Sequence, residues 1–126
     1  MPTAIAADAG MNAVTERRLL GLLGLGVRGR GAVVGVERVR DAAKRGTLVV
    51  AVVAPDASRH SIDKVVPLLE ARRVPIMVGP SAMALGHAVG KESTAVVGVV
   101  DRSLAAGVLA LRGASSEGDT GPARAR

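Results

Sequence analysis

Two stretches constrain this fold more than any others: Thr47–Ala54 (TLVVAVVA) and Thr94–Val100 (TAVVGVV). Each is a near-continuous apolar run of strand length, rich in valine. A strand that is apolar on both faces has no side to offer water, so both faces must be covered. Such strands belong inside a sheet with helices above and below it. The residues around them must then supply those helices.

They do so in alternation. Leu19, Leu20, Leu22, Leu23 and Leu25 crowd one side of a helix that starts near Asn12 or Thr15 and runs to Val27. Ala32-Val33-Val34 is a short strand. Gly35 ends it and opens a helix over Val36–Arg45, with Val36, Val39 and Ala43 inward and Gly46 as its C-terminal cap. Asp56 or Ser58 caps the next helix, which runs to about Arg73 with Ile62, Val65, Val66, Leu68 and Leu69 inward. Pro67 predicts a kink or a split in it. Pro75–Val78 is a second short strand. Ser81 caps a short helix carrying Met83, Ala84, Leu85 and Ala88, which runs out at Gly90. The polar loop Lys91-Glu92-Ser93 then leads into Thr94–Val100. Asp101 caps a last helix with Leu104, Ala105, Val108, Leu109 and Leu111. This order predicts an α/β fold: a three-layer α/β/α sandwich around a small four-stranded mixed, largely parallel sheet. One domain is expected over residues 12–111. Residues 1–11 read as a flexible extension and residues 112–126, rich in Gly, Ser and Ala, as a disordered tail.

Composition narrows the function. The chain of 126 residues has no Cys, two His and no aromatic residue. Disulfides and thiolate metal sites are excluded, and two imidazoles make a poor zinc site. No cofactor is expected. Without aromatics, single-strand nucleic-acid binding by base stacking is disfavoured. The net charge of +6 and a pI near 11.3 favour a polyanion as partner, nucleic acid first.

Two motifs mislead. Arg17-Arg18 before LLGLLGLGV imitates a secretion signal, but Arg28 and Arg30 follow at once and the run is short of the ~20 residues of a membrane span. A buried helix and a cytoplasmic location, with no membrane partner, are the better reading. Gly24-x-Gly26-x-x-Gly29 matches the dinucleotide fingerprint. That fingerprint needs a strand before the glycines and a helix after them, and here the order is reversed. These glycines read as the end of a helix and a turn.

The segment Val74–Val100 carries a resemblance. Leu85-Gly86-His87-Ala88-Val89-Gly90 fits the pattern Leu-Gly-x-Ala-x-Gly between an apolar strand and a Val-rich strand. With Leu22-Leu23-Gly24-Leu25, Gly35, Gly46 and Val74-Pro75 in the same order, residues Leu19 to Leu111 resemble the family of archaeal ribosomal protein L7Ae and eukaryotic L30e. The small bacterial members are nearest. The resemblance implies a four-stranded mixed sheet and binding of kink-turn RNA through two surfaces. One is the start of the second helix, where the family pattern Gly-x-Asn-Glu, with a Lys further along, falls on Gly35, Val36, Glu37, Arg38 and Asp41. The other is the loop after the Leu-Gly-x-Ala-x-Gly motif, here Lys91, Glu92 and Ser93 in place of apolar residues. Lys44 joins them as a phosphate contact. Glu37 stands where Asn would offer a donor and an acceptor; ionised, it can only accept.

The expectation is therefore a non-catalytic RNA-binding protein acting in translation or ribosome assembly, its partner ribosomal or other structured RNA and possibly the ribosome. No small-molecule substrate is expected. An enzyme would need a nucleophile, a base and an orienting group together, and Asp56, Ser58, His60, Ser81 and His87 do not read as such a set. The alternative is a protein-interaction module on the same fold, which the substitutions at Glu37, Arg38 and Asp41 would suit.

Overall fold

The computed structural model describes residues 11–116. The expected extension, apart from Met11, and residues 117–126 of the expected tail lie outside that range. Met11 is half-buried against the core.

Nine elements alternate as expected: α1 (Ala13–Arg28), β1 (Ala32–Val34), α2 (Val36–Arg45), β2 (Val50–Val53), α3 (Arg59–Ala71), β3 (Ile76–Val78), α4 (Ala82–Ala88), β4 (Val96–Val99) and α5 (Arg102–Ser116). The helix ends are locally encoded. The side chains of Asn12, Ser58 and Ser81 each accept a hydrogen bond from the backbone N–H three residues on. Asp101 does the same for Leu104 at 2.8 Å. Such caps satisfy N–H groups that have no partner inside the helix. Gly46 closes α2 in the left-handed conformation (φ 78°). α3 passes through Pro67 as one helix, so neither half is split off. α5 continues to Ser116, so residues 112–116 are helical rather than part of a tail.

The sheet is four-stranded and mixed, in the order β1-β4-β2-β3. It is less parallel than expected. β4 pairs antiparallel with both β1 and β2, and only β2 with β3 is parallel. The cause is the return of the chain after α4. Thr94 N–H donates to Ala82 O at 3.0 Å, so the loop comes back to the start of α4, at the edge where β3 ends. The chain therefore re-enters the sheet from that edge, and β4 must run backwards.

β2 and β4 are buried along their whole length. Alternate side chains serve two separate cores. Val50, Val52, Val97 and Val99 face Leu19 and Leu23 of α1, Leu85 of α4, and Ala105 and Val108 of α5. Ala51, Val53 and Val96 face Val39 and Ala43 of α2 and Val65 and Leu69 of α3. The three layers are thus α1/α4/α5, sheet, and α2/α3. Leu25, expected on the buried side of α1, is instead 58% exposed.

Glycine packing explains the false fingerprint. Gly24 and Gly26 lie inside α1 and end nothing. A Cβ on Gly24 would come 2.8 Å from the carbonyl oxygen of Ala88 in α4, and one on Gly26 would collide with Leu104 of α5. Gly98 does the same work at the centre of the sheet. A Cβ there would lie 2.5 Å from Leu48 Cδ1 and 3.1 Å from Val39 Cγ2. Gly98→Val is therefore expected to destabilise the protein by about 2–3 kcal/mol, although valine is the better strand former, because overpacking outweighs propensity here. Urea unfolding should show a lower midpoint at unchanged slope; an unchanged midpoint would refute the packing argument.

Candidate nucleic-acid interface

One edge of the sheet gathers most of the residues singled out in the sequence. β1, β2 and β3 all end there, and α2, α3 and α4 all begin there. The strand β4 starts between them. Gly35 N–H donates to Val96 O at 3.0 Å, Ala54 N–H to Ala95 O at 2.8 Å, and Gly79 N–H to Val53 O at 2.8 Å. Ser58 and Ser81 cap α3 and α4, whereas Gly35 gives α2 no side-chain cap, so the first N–H groups of α2 and the positive end of its dipole are open to an anion.

Gly35 is the hinge between β1 and α2. Its φ of 99° lies outside the range of ordinary side chains, and this turn takes the chain from the strand straight into the helix. It leaves Gly35, Val36, Glu37 and Arg38 on the edge. Asp41 lies one turn further in. It shares a groove of about 570 Å³ with Arg38 and Arg45, floored by Val33, Ala42 and Val100. Lys44 does not join the edge. It lies eight residues along α2, ~12 Å from its start, where Arg72 Nη1 donates to the carbonyl oxygens of Ala43 and Lys44 at 3.4 and 3.1 Å.

The loop after α4 forms the opposite wall. Lys91, Glu92 and Ser93 are exposed, but their backbone is held. Lys91 N–H donates to Gly86 O at 2.8 Å and Thr94 N–H to Ala82 O at 3.0 Å. The loop lies directly on Gly86. A Cβ there would stand 2.5 Å from Ser93 N, 2.8 Å from Ser93 C, and closer still to Ser93 Cα. The glycine of the Leu-Gly-x-Ala-x-Gly motif is therefore the seat of the loop.

Tertiary structure adds two cations that the sequence reading left out. Ser58 caps α3 and so brings Arg59 to the same edge; Lys64 lies one turn behind it. The signal for Arg59 was present in the cap. Lys64 could not be assigned from the sequence, because its partner is 27 residues away: its Nζ lies 3.1 Å from Glu37 Oε2. Arg40 Nη1 also donates to Lys64 O at 2.6 Å, so α2 and α3 are cross-linked at this end.

The Lys64 hydrogen bond, then its charge, hold the Glu37 carboxyl below its ordinary value of 4.5, with smaller help from Arg40 and Lys44. A folded-state value lowered in this way means that the pair contributes above about pH 4.5 and is lost as pH falls through the lowered value. The side chain is 75% exposed, so the effect on stability is slight. An NMR titration should place the Glu37 midpoint below 4.5, and Lys64→Gln should move it back up. An unmoved midpoint would show that the pair does not form in solution.

Three of the polar residues weighed for catalysis hold helix starts. Asp56 Oδ1 accepts from Ala82 N–H at 2.8 Å, and Ser58 and Ser81 are the caps of α3 and α4. His60 and His87 are exposed. Among the described residues no group of three or more His, Asp or Glu is placed to hold a metal, and no helix is long and apolar enough to cross a membrane.

Residues 18–107, most of the folded part, match the ribosomal protein L7Ae/L30e/S12e/Gadd45 family. The chain belongs to this family. A comparison with curated protein sequences gave no match. Solved structures include a protein of unknown function from Bacillus halodurans with 31% identity and a TM-score of 0.69, covering 75% of this chain and 95% of that one. A Giardia lamblia 15.5kD RNA binding protein shares the fold at 24% identity and a TM-score of 0.67, covering 83% of this chain and 90% of that one. The family match ends four residues before Leu111, so the ends of the resemblance and of the matched segment nearly coincide.

Proposed function

We propose that this chain is a non-catalytic RNA-binding protein that takes structured, kink-turn-like RNA at the edge between Gly35 and Lys91, in cytoplasmic translation or ribosome assembly. The observation that carries the proposal is convergence. The start of α2 and the loop after α4, the two surfaces that the family resemblance implicates, meet at one sheet edge. The uncapped N-terminus of α2 and the cations Arg38, Arg59 and Lys91 accompany them. Family membership supports RNA as the partner. So does the RNA-binding protein from Giardia lamblia with the same fold.

Phosphates would be met by backbone N–H groups at the start of α2 and by the arginines and lysines around it. Glu37 is a special case. Its carboxylate would repel phosphate if free, but Lys64 holds it and offsets its charge. The position can then accept a hydrogen bond from a guanine or adenine amino group.

The test is binding to a kink-turn RNA and to a plain duplex of equal length across a salt series. A preference for the kink-turn that survives physiological salt supports the proposal. Three phosphate contacts, by Arg38, Arg59 and Lys91, predict a salt slope of roughly −2 to −3. Equal binding of both RNAs with a steep slope would reduce the site to non-specific attraction. No binding would favour a protein-interaction module, the reading to which the acidic Glu37 and Asp41 point.

A further inference from the structure

We propose that the groove between α1 and α5 docks an acidic amphipathic helix of a partner protein. α1 turns a stripe outward: Val14, Arg18, Leu22, Leu25 and Arg28, spaced by three and four residues as one helix face requires. Val14 and Leu25 on this stripe are 56% and 58% exposed. Between α1 and α5 lies a groove of about 650 Å³ lined by Gly21, Leu22, Leu25, Gly107 and Ala110, with Arg18 and Arg28 on its rim. Its floor is low because two of these residues have no side chain. A Cβ at Gly21 would meet nothing within 4 Å, and one at Gly107 would touch Leu22 Cδ1 at 3.5 Å.

The charges name the occupant. Among the described residues, the groove's charged lining residues are Arg18 and Arg28, with no carboxylate beside them. Among the described residues neither arginine is in an ion pair. They stand ten residues apart, ~15 Å along the helix. A helix laid along the groove, with small or leucine side chains toward Gly21 and Gly107, would set a carboxylate against each arginine if its own acidic residues had that spacing. A second copy of this chain is the wrong occupant. Symmetric antiparallel pairing would set Arg18 against Arg28 of the partner, and each chain already carries +6. RNA is also a poor fit, since the floor is apolar and has neither donors nor aromatic faces.

The groove lies on the opposite face of the sheet from α2, whose start forms one wall of the RNA edge. α1 ends and α5 begins at the opposite sheet edge, and both lie on the face away from α2 and α3. The protein could thus hold RNA and the partner together.

The probe is a synthetic helical peptide of about 18 residues, with leucines at three- and four-residue spacing and two glutamates ten residues apart. Its control replaces both glutamates by lysine. Each is titrated into the full ¹⁵N-labelled chain. The expected result is shifts confined to α1 and α5 with the acidic peptide. Gly21→Gln, which fills the groove from an open helical position, should weaken binding by about 10-fold or more while leaving kink-turn RNA affinity within about two-fold. Arg18→Glu with Arg28→Glu should transfer the preference to the lysine peptide. Absent shifts, shifts elsewhere, or insensitivity to Gly21→Gln would overturn the proposal. So would phosphatidylserine-vesicle binding or dimerisation that Gly21→Gln abolishes, which would assign the groove to a membrane or to a second copy.

Discussion

Gly86→Ala is expected to lower stability by about 3 kcal/mol, or roughly 10–15 °C in Tm, and to weaken RNA binding as well. The added methyl would overlap the backbone of Ser93, at 2.5 Å from its nitrogen and 2.8 Å from its carbonyl carbon. Backbone cannot rotate away as a side chain can, so the loop Lys91–Ser93 must lift. Lifting it endangers two hydrogen bonds, Lys91 N–H to Gly86 O and Thr94 N–H to Ala82 O, each worth about 1 kcal/mol. Alanine returns up to about 1 kcal/mol through its better helix propensity, which is not enough to compensate. Gly21→Ala is the matched control. It makes the same change within a helix where the new Cβ meets nothing within 4 Å, and it should stabilise by about 0.5–1 kcal/mol. Thermal unfolding of the two variants should therefore move in opposite directions. Equal shifts would mean that Gly86 is not the seat of the loop.

Arg38→Glu with Lys91→Glu should reduce RNA affinity by about 100-fold at low salt and make the salt slope shallower by about two units. These side chains stand on the two walls of the edge. Both are exposed, so the fold should hold, with stability within about 0.5 kcal/mol of the parent chain. Lys44→Glu, ~12 Å from the start of α2, should cost no more than about three-fold. The comparison separates a located site from general attraction by a basic protein. If all three reversals scale only with charge, the edge is not the site. Filter binding or fluorescence anisotropy across salt concentrations would decide it.

The sequence carried the fold to the extent that its signals were local. Asn12, Ser58, Ser81 and Asp101 each cap the N–H three residues on, so four helix starts were legible within a few residues. Gly35 and Gly46 bracket α2 as read, because left-handed backbone at a helix end selects glycine wherever it occurs. The unbroken apolar runs at β2 and β4 announced strands covered on both faces, and two cores lie on either side of them.

What the tertiary structure alone decided depends on residues far apart in the chain. Strand direction was one such matter, since it was set by the edge to which the loop after α4 returned, where Thr94 N–H meets Ala82 O. Gly24, Gly26 and Gly98 were another. Nothing near them in sequence reveals Ala88, Leu104, Leu48 or Val39, so Gly24 and Gly26 read as a turn or a nucleotide motif. Leu25 was assigned to the core by its neighbours, yet α5 leaves it open to solvent. Lys64 reached Glu37 only because α2 and α3 run side by side. Local chemistry determines where elements begin and end; which side chains meet is settled by packing, where one atom's room is another's obstacle.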